Sequence, residues 1–168
     1  MRRLLLGLIF LFLTGCGYHL AGETQTFPGG LSVLHIVIFD NRTMEPYLEN
    51  IVTTQVTRRL LLLPEIRLVE NPQEADGVVS GKILSYHVEA SAYDAENLMT
   101  QYRATMKIEA ELRRNADGRI LWRGILTRFQ SFFADPDLKR QDDLERMAQE
   151  LLSIRLAEDL SSRLTETF

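Results

Sequence analysis

The chain has 168 residues, 45% of them hydrophobic and 25% charged, which suits one globular domain with one core and leaves no room for a second. A single cysteine excludes an internal disulfide. The 19 basic and 23 acidic residues give a net charge of −4, and this uniformly acidic balance argues against nucleic acid as a partner.

The N-terminus has the layout of a secretory signal. Arg2 and Arg3 precede an apolar run over residues 4–13, which is half the roughly 20 residues that a membrane-spanning helix needs. The run ends in Leu13-Thr14-Gly15-Cys16, which resembles the bacterial lipobox, where the cysteine is lipidated and the peptide is cut before it. We therefore predict that residues 1–15 are a cleaved signal peptide and that lipid on Cys16 anchors the mature chain to a membrane.

The mature chain divides into a spacer and one domain. Glycine, proline and small polar residues over 16–30 predict a lipidated N-terminus and tether. Residues 31–168 predict a single α+β domain. Without Arg2 and Arg3, the mature chain has 17 basic and 23 acidic residues, a net charge of −6.

The first half of the domain is predicted to be strand, helix and a short strand. Residues 31–39 form a nearly continuous β-branched and aromatic run, which predicts a strand covered on both faces or nearly so, with His35 as a hydrogen-bonded strand residue. Over residues 45–63 the apolar positions recur every three or four residues, which predicts a helix that ends at Pro64. A short strand is predicted over 66–69.

Two long strands and a turn form the predicted centre of the sheet. Residues 78–93 contain a candidate bulge at Gly81. Residues 101–114 alternate cleanly between apolar and polar side chains, which predicts one buried and one wet face. The sequence Asn115-Ala116-Asp117-Gly118 is typical of a hairpin turn with glycine in the left-handed region.

A type I turn with a glycine bulge fixes the register of the next strand. Leu112 is then expected opposite Trp122 in the core, and Glu111 opposite Arg123 as an exposed ion pair. The strand over 119–133 carries apolar residues on both parities, so both faces are expected to be covered: one by the protein's own helices, the other by a second protein or a lipid.

The last element is predicted to be a long amphipathic helix that opens at Asp135-Pro136-Asp137 and continues to Leu164. Its apolar stripe includes Met147 and Leu151. The predicted fold is therefore α+β, with two helices packed on one face of a mostly antiparallel sheet of about four strands.

Residues for catalysis or metal binding are not grouped in the sequence. His19, His35 and His87 lie far apart and lack companion ligands at metal-binding spacing. Phe27-Pro28-Gly29-Gly30 lacks the lysine and helix that follow a phosphate-binding loop. We predict a protein that is not an enzyme and holds no cofactor or metal.

Four motifs, taken in order, resemble one family. They are Cys16-Gly17-Tyr18-His19-Leu20 after the lipobox, Ile36-Val37-Ile38-Phe39-Asp40-Asn41-Arg42-Thr43 before a helix, Ala75-Asp76-Gly77 before a strand, and Tyr102-Arg103 opening the next. Together they resemble the lipopolysaccharide-assembly lipoprotein family, LptE. The resemblance implies two helices on a mostly antiparallel sheet, a position inside the outer-membrane β-barrel LptD whose assembly it helps, and binding of lipopolysaccharide. Gly17, where inner-membrane lipoproteins commonly carry aspartate, implies the periplasmic face of the outer membrane.

Lipopolysaccharide carries phosphates, which need arginine or lysine. Arg103 and Lys107 share the wet side of the strand over 101–114, and the assumed register places Phe129 beside them. We predict Arg103 and Lys107 as lipopolysaccharide-binding residues, although two ordinary exposed bases remain the alternative for each residue alone. Arg123 is a poorer candidate because Glu111 neutralises it, and the facing of Lys82 and Arg128 is open.

A second function remains open at this stage. Several outer-membrane lipoproteins that activate a periplasmic peptidoglycan synthase also begin with a strand that ends in Phe-x-Asn and leads into a helix. Phe39-Asp40-Asn41 fits that pattern. The two functions predict different co-purifying partners, a large barrel or a cell-wall synthase.

Overall fold

The computed structural model describes residues 27–165. The signal peptide, Cys16 and most of the predicted tether lie outside the described residues. In chain order the elements are β1 (Val33–Ile36), β2 (Asp40–Asn41), α1 (Leu48–Leu61), β3 (Arg67–Leu68), β4 (Gly77–Tyr93), β5 (Met99–Arg114), β6 (Ile120–Phe133) and α2 (Leu138–Thr165).

The six strands form one mixed sheet. Its order is β3-β1-β4-β5-β6, and β2 pairs with the first half of β4 on the same side as β1. The three long strands are antiparallel, whereas β1, β2 and β3 pair in parallel. The predicted α+β fold is confirmed. The sheet has more than the four strands predicted, because the strand over 31–39 is split into β1 and β2 and the short strand predicted over 66–69 also joins the sheet as β3.

The predicted strand over 31–39 is split into two pieces. Phe39 turns its ring into the core, with 1% of its surface exposed, and its N–H donates to Thr53 Oγ1 of α1 at 3.0 Å. The chain therefore leaves β1 before Phe39 and rejoins β4 as β2. The expected cover on both faces is wrong for Val37 and Ile38, which are exposed.

The predicted hairpin register is confirmed. Leu112 pairs with Trp122, and Glu111 pairs with Arg123. Gly118, at the end of the turn, has φ +68°, the left-handed region that glycine enters without steric cost. The four turn residues were sufficient to predict this pairing, because the geometry of the turn sets the register of both strands.

The bulge in β4 is not at Gly81. Gly81 pairs regularly with Ala110, and the three register shifts of this pairing fall between Ile83 and Ser85 and on either side of Ala92. Gly81 instead makes room for Phe39, since a Cβ at this position would lie 2.2 Å from a ring carbon. The expectation of a bulge at Gly81 was wrong because glycine is also required where another group approaches the backbone closely.

Both helices cover the same face of the sheet. Helix α2 contacts β5, β6 and α1, and its first turn is capped by Asp137, whose carboxylate accepts the Arg140 N–H at 3.0 Å. Met147 and Leu151 are exposed, so the buried stripe of α2 is narrower than predicted. The core residues that β5 and α2 contribute are Ala104, Met106, Ile108, Ala110 and Leu112 from the strand and Ala148, Leu152, Leu156, Ala157, Leu160 and Leu164 from the helix.

Asp76 joins the start of β1 to the start of β4. Its Oδ2 accepts the N–H groups of Val33 at 2.9 Å and Ser32 at 3.2 Å. These hydrogen bonds favour the ionised carboxylate and hold the pKa of Asp76 below its usual value. The Ala-Asp-Gly motif therefore holds β1 against the start of β4 at the parallel edge of the sheet.

Candidate functional site

The sheet face opposite the helices has a charge-balanced half, near the turn that joins β5 to β6. Lys82 lies 3.7 Å from Glu109, and Arg113 donates to Glu111 at 2.7 Å. Arg123 Nε donates to the same Glu111 at 2.9 Å. Hydrogen bonds from both arginines lower the pKa of Glu111, so it stays ionised and compensates them.

The other half of this face carries the two predicted binding residues. Arg103 lies between Glu89 and Ser131 on the neighbouring strands, and Lys107 lies between Ser85 and Thr127. Neither Arg103 nor Lys107 forms an ion pair with another residue of the described range 27–165. The positive charge of this half is therefore available to an anionic ligand.

An exposed apolar row runs along β6 beside these cations. Ile125, Phe129 and Phe133 alternate onto the open face and are 56%, 57% and 67% exposed. The guanidinium carbon of Arg103 lies 5.0 Å from the centroid of the Phe129 ring, which is a cation–π arrangement. No described residue covers this row. The described part of the domain therefore does not itself supply a cover for this face of β6, which was predicted to contact a second protein or a lipid.

The structure settles the facing of the remaining cations. Lys82 is on the open face but is paired with Glu109. Arg128 points to the helix side, where it donates to Asp159 of α2 at 2.6 Å. The register of the hairpin places Arg128 opposite Met106 on the helix side, and the position of α2 supplies its partner Asp159. Lys82 faces the open side because it pairs with Glu109. Arg103 and Lys107 thus share one half of the open face without an ion-pair partner among the described residues, whereas Lys82, Arg123 and Arg128 are each paired with a carboxylate.

The histidines and carboxylates do not form a reactive cluster in the described part of the chain. His35 Nδ1 donates to the carbonyl oxygen of Val69 at 3.1 Å, as expected for a strand histidine. Between residues 27 and 165, no three His, Cys, Asp or Glu side chains are placed to hold a metal ion. None of the helices described is both long and apolar enough to span a bilayer.

The fold and this face define a small α+β domain with one amphipathic sheet surface. A sequence model of the LptE family, described as lipopolysaccharide-assembly, matches residues 31–166. The chain therefore belongs to the LptE family of lipopolysaccharide-assembly lipoproteins, which are outer-membrane-associated and not enzymes.

A relative and two solved structures are similar to this chain. LPS-assembly lipoprotein LptE of Pectobacterium atrosepticum is 27% identical over 180 residues, covering 98% of this chain and 91% of the relative. Rare lipoprotein B of Shewanella oneidensis has a TM-score of 0.51 at 15% identity, covering 77% of this chain and 92% of its own. PelC of Paraburkholderia phytofirmans, a dodecamer, has a TM-score of 0.56 at 17% identity, covering 80% and 89%. At these identities the two structures show a shared fold alone.

Proposed function

We propose that this chain is an outer-membrane lipoprotein, held at the periplasmic face by lipid on Cys16, that plugs and helps assemble the lipopolysaccharide-translocating barrel LptD. In this proposal it also binds lipopolysaccharide through Arg103 and Lys107 during delivery to the outer leaflet. Membership of the LptE family supports the assembly role. The observation that carries lipopolysaccharide binding is Arg103 above the exposed ring of Phe129, with Lys107 on the same face.

The chemistry of this half-face matches an amphipathic glycolipid. Phosphate groups form their strongest hydrogen bonds with arginine and lysine, and acyl chains or sugar faces pack on apolar side chains. Arg103 and Lys107 are four residues apart on one strand, a separation of about 13 Å at the usual strand rise. Two cations at that spacing, on a rigid strand, can contact two separate phosphates of one ligand.

A paired charge deletion tests the ligand site. The variant Arg103→Ser with Lys107→Ser is expected to lower lipopolysaccharide affinity by about tenfold or more, since each charge-assisted hydrogen bond contributes about 1.5–3 kcal/mol. The barrel complex should remain intact. The measurement is binding of purified lipopolysaccharide to the full-length lipidated protein.

The matched control is Lys82→Ser with Arg113→Ser. It removes the same charge from the same sheet face, but from cations that Glu109 and Glu111 already compensate. Affinity should fall by less than about threefold, because only long-range attraction is lost. Equal losses in the two variants, or no loss in the first, would remove Arg103 and Lys107 from the site.

Two further measurements test the anchor and the partner. Mass analysis of the mature protein should find a triacylated N-terminal Cys16; an unmodified thiol or an uncut leader would contradict the anchor. When the lipidated protein is purified from detergent-solubilised envelopes, a β-barrel protein of outer-membrane size should co-purify with it. A peptidoglycan synthase in its place, with normal surface lipopolysaccharide on depletion, would favour the alternative activator function.

A further inference from the structure

The loop that leads from β2 into α1 exposes two large side chains. Met44 is fully exposed and Tyr47 is 69% exposed. Exposed large apolar side chains that lie close together commonly mark a protein interface. We call residues 40–47 the anchor loop.

The anchor loop is held rigid by Asn41. Its Nδ2 donates to the carbonyl oxygen of Glu45 at 2.7 Å and to Glu49 Oε2 at 2.8 Å. Its Oδ1 accepts the N–H of Thr43 at 3.0 Å and the hydroxyl of Thr43 at 2.8 Å. A loop fixed in this way loses little conformational entropy when it binds, which favours its use as a docking element.

Tyr47 has a backbone conformation that is unfavourable for a residue with a bulky side chain. Its φ is +66°, in the left-handed region that glycine adopts freely and bulky residues avoid. The Tyr47 side chain is 69% exposed, so burial of its ring contributes little to offset this strain. Such strain is commonly stored where function needs the side chain.

Acidic side chains border the loop. Glu45, Asp142 and Glu145 line a cleft with Tyr47 between the N-terminal ends of the two helices. Glu45 accepts a hydrogen bond from Gln149 at 3.0 Å and Glu145 accepts one from the hydroxyl of Tyr86 at 2.9 Å.

The charge of this border is not compensated locally. None of these three carboxylates is in an ion pair within the described range. Arg146, in the same cleft, pairs with Asp143 at 3.6 Å. The surface therefore combines two apolar anchors with a fixed negative border, and its complement is a partner segment with lysine or arginine beside an apolar recess.

The anchor loop and the proposed lipopolysaccharide face lie on opposite sides of β4 in the sheet. The loop follows β2, which pairs with the side of β4 facing away from β5 and β6. Arg103 and Phe129 are on β5 and β6. A partner at the loop therefore leaves the open half-face accessible, and both can be occupied together.

We propose that Met44 and Tyr47 of the anchor loop dock on the inner wall of the barrel, at a stretch that carries basic side chains. The inner wall of an outer-membrane barrel is polar, so charged residues are expected there. This inference rests on the proposed function and specifies the surface through which the barrel is held.

The test compares variants of the tagged, full-length lipidated protein in recovery of the barrel from solubilised envelopes. Met44→Ser with Tyr47→Gly should lower barrel recovery by about tenfold, as expected for loss of central anchors. The same variant should unfold at the wild-type temperature or higher, because glycine relieves the strain at position 47. Its affinity for purified lipopolysaccharide should be unchanged.

The matched control is Asn97→Gly. Asn97 is the other described non-glycine residue with positive φ, at +61°, and it lies in the turn between β4 and β5. Its replacement changes the backbone in the same way and should leave barrel recovery unchanged. Asp142→Lys should lower recovery by about threefold, and the loss should shrink as salt is raised, because it reverses one charge of the border.

Each remaining outcome has one meaning. Full barrel recovery with Met44→Ser and Tyr47→Gly would overturn the anchor loop while leaving the proposed function intact. A loss of lipopolysaccharide binding with full barrel recovery would assign the loop to the glycolipid and also overturn the inference. No barrel with the wild-type protein would overturn the proposed function and the inference together.

Discussion

Gly81→Ala measures how closely Phe39 is packed onto β4. An alanine Cβ at position 81 would lie 2.2, 2.6 and 2.7 Å from three carbons of the Phe39 ring, whereas ordinary contacts are 3.4–4 Å. The ring is 1% exposed, so it cannot turn outward without losing its burial. Either the ring and the strand shift apart or the ring leaves the core.

The two responses bound the destabilisation. Overpacking that is absorbed by small shifts costs about 1–3 kcal/mol, and complete loss of a buried phenylalanine ring costs about 3–5 kcal/mol. Because the shortest contact is more than 1 Å below the ordinary range, we expect about 3 kcal/mol. Urea unfolding followed by the fluorescence of Trp122, the only tryptophan, measures this free energy.

A double-mutant cycle separates the clash from a general weakening of the strand. Phe39→Leu shortens the offending side chain and should cost about 1–2 kcal/mol by itself. Combined with Gly81→Ala, the total should fall short of the sum by about 1–2 kcal/mol, because the smaller side chain leaves room for the methyl group. Additive effects, or a cost below about 0.5 kcal/mol for Gly81→Ala alone, would refute the packing argument.

Three other substitutions test separate contacts. Asp76→Ala removes the acceptor of the Ser32 and Val33 N–H groups and should cost about 1–2 kcal/mol at neutral pH. Since those bonds lower the pKa of Asp76, its contribution is present above about pH 4 and is lost as pH falls through the folded-state pKa. Urea titrations from pH 7 to 3 should therefore show the gap between wild type and variant closing; a constant gap would contradict the assignment. Tyr86→Phe deletes the hydrogen bond to Glu145 and should cost about 1 kcal/mol in the same titration, with no change meaning that the bond is not formed in solution. Leu156→Ala empties a fully buried position on α2 and should lower the free energy of unfolding by about 2–5 kcal/mol, and calorimetry would refute full burial if the melting temperature moved by only a degree or two.

Features that depend on near neighbours in the chain were predictable. The alternation of β5, the helix before Pro64 and the turn at Asn115–Gly118 each depend on residues a few positions apart. The turn also determined the pairing of Glu111 with Arg123, since register propagates along a hairpin. The alternation of β5 placed Arg103 and Lys107 on its wet face, and the register placed Phe129 beside them, so both candidate residues follow from local pattern alone.

Features that depend on distant partners were not predictable. Gly81 was assigned to a bulge because nothing near it in sequence reveals the ring of Phe39, 42 positions earlier. The ion pair of Arg128 depends on Asp159, in a helix that begins after β6 has ended. The exposure of Met44 and Tyr47 was not predictable, since Met44 directly precedes the predicted helix over 45–63 and Tyr47 lies inside it, whereas the observed helix begins only at Leu48.

The sequence by itself determined the periodic elements, the hairpin register and the class of exported α+β domain, because local sterics and alternation act over a few residues. Only the tertiary structure decided which cations are compensated, where the parallel strands pair and which apolar side chains stay uncovered. Those properties are set by contacts between segments tens of residues apart, and such contacts are specified by the packing of the whole core.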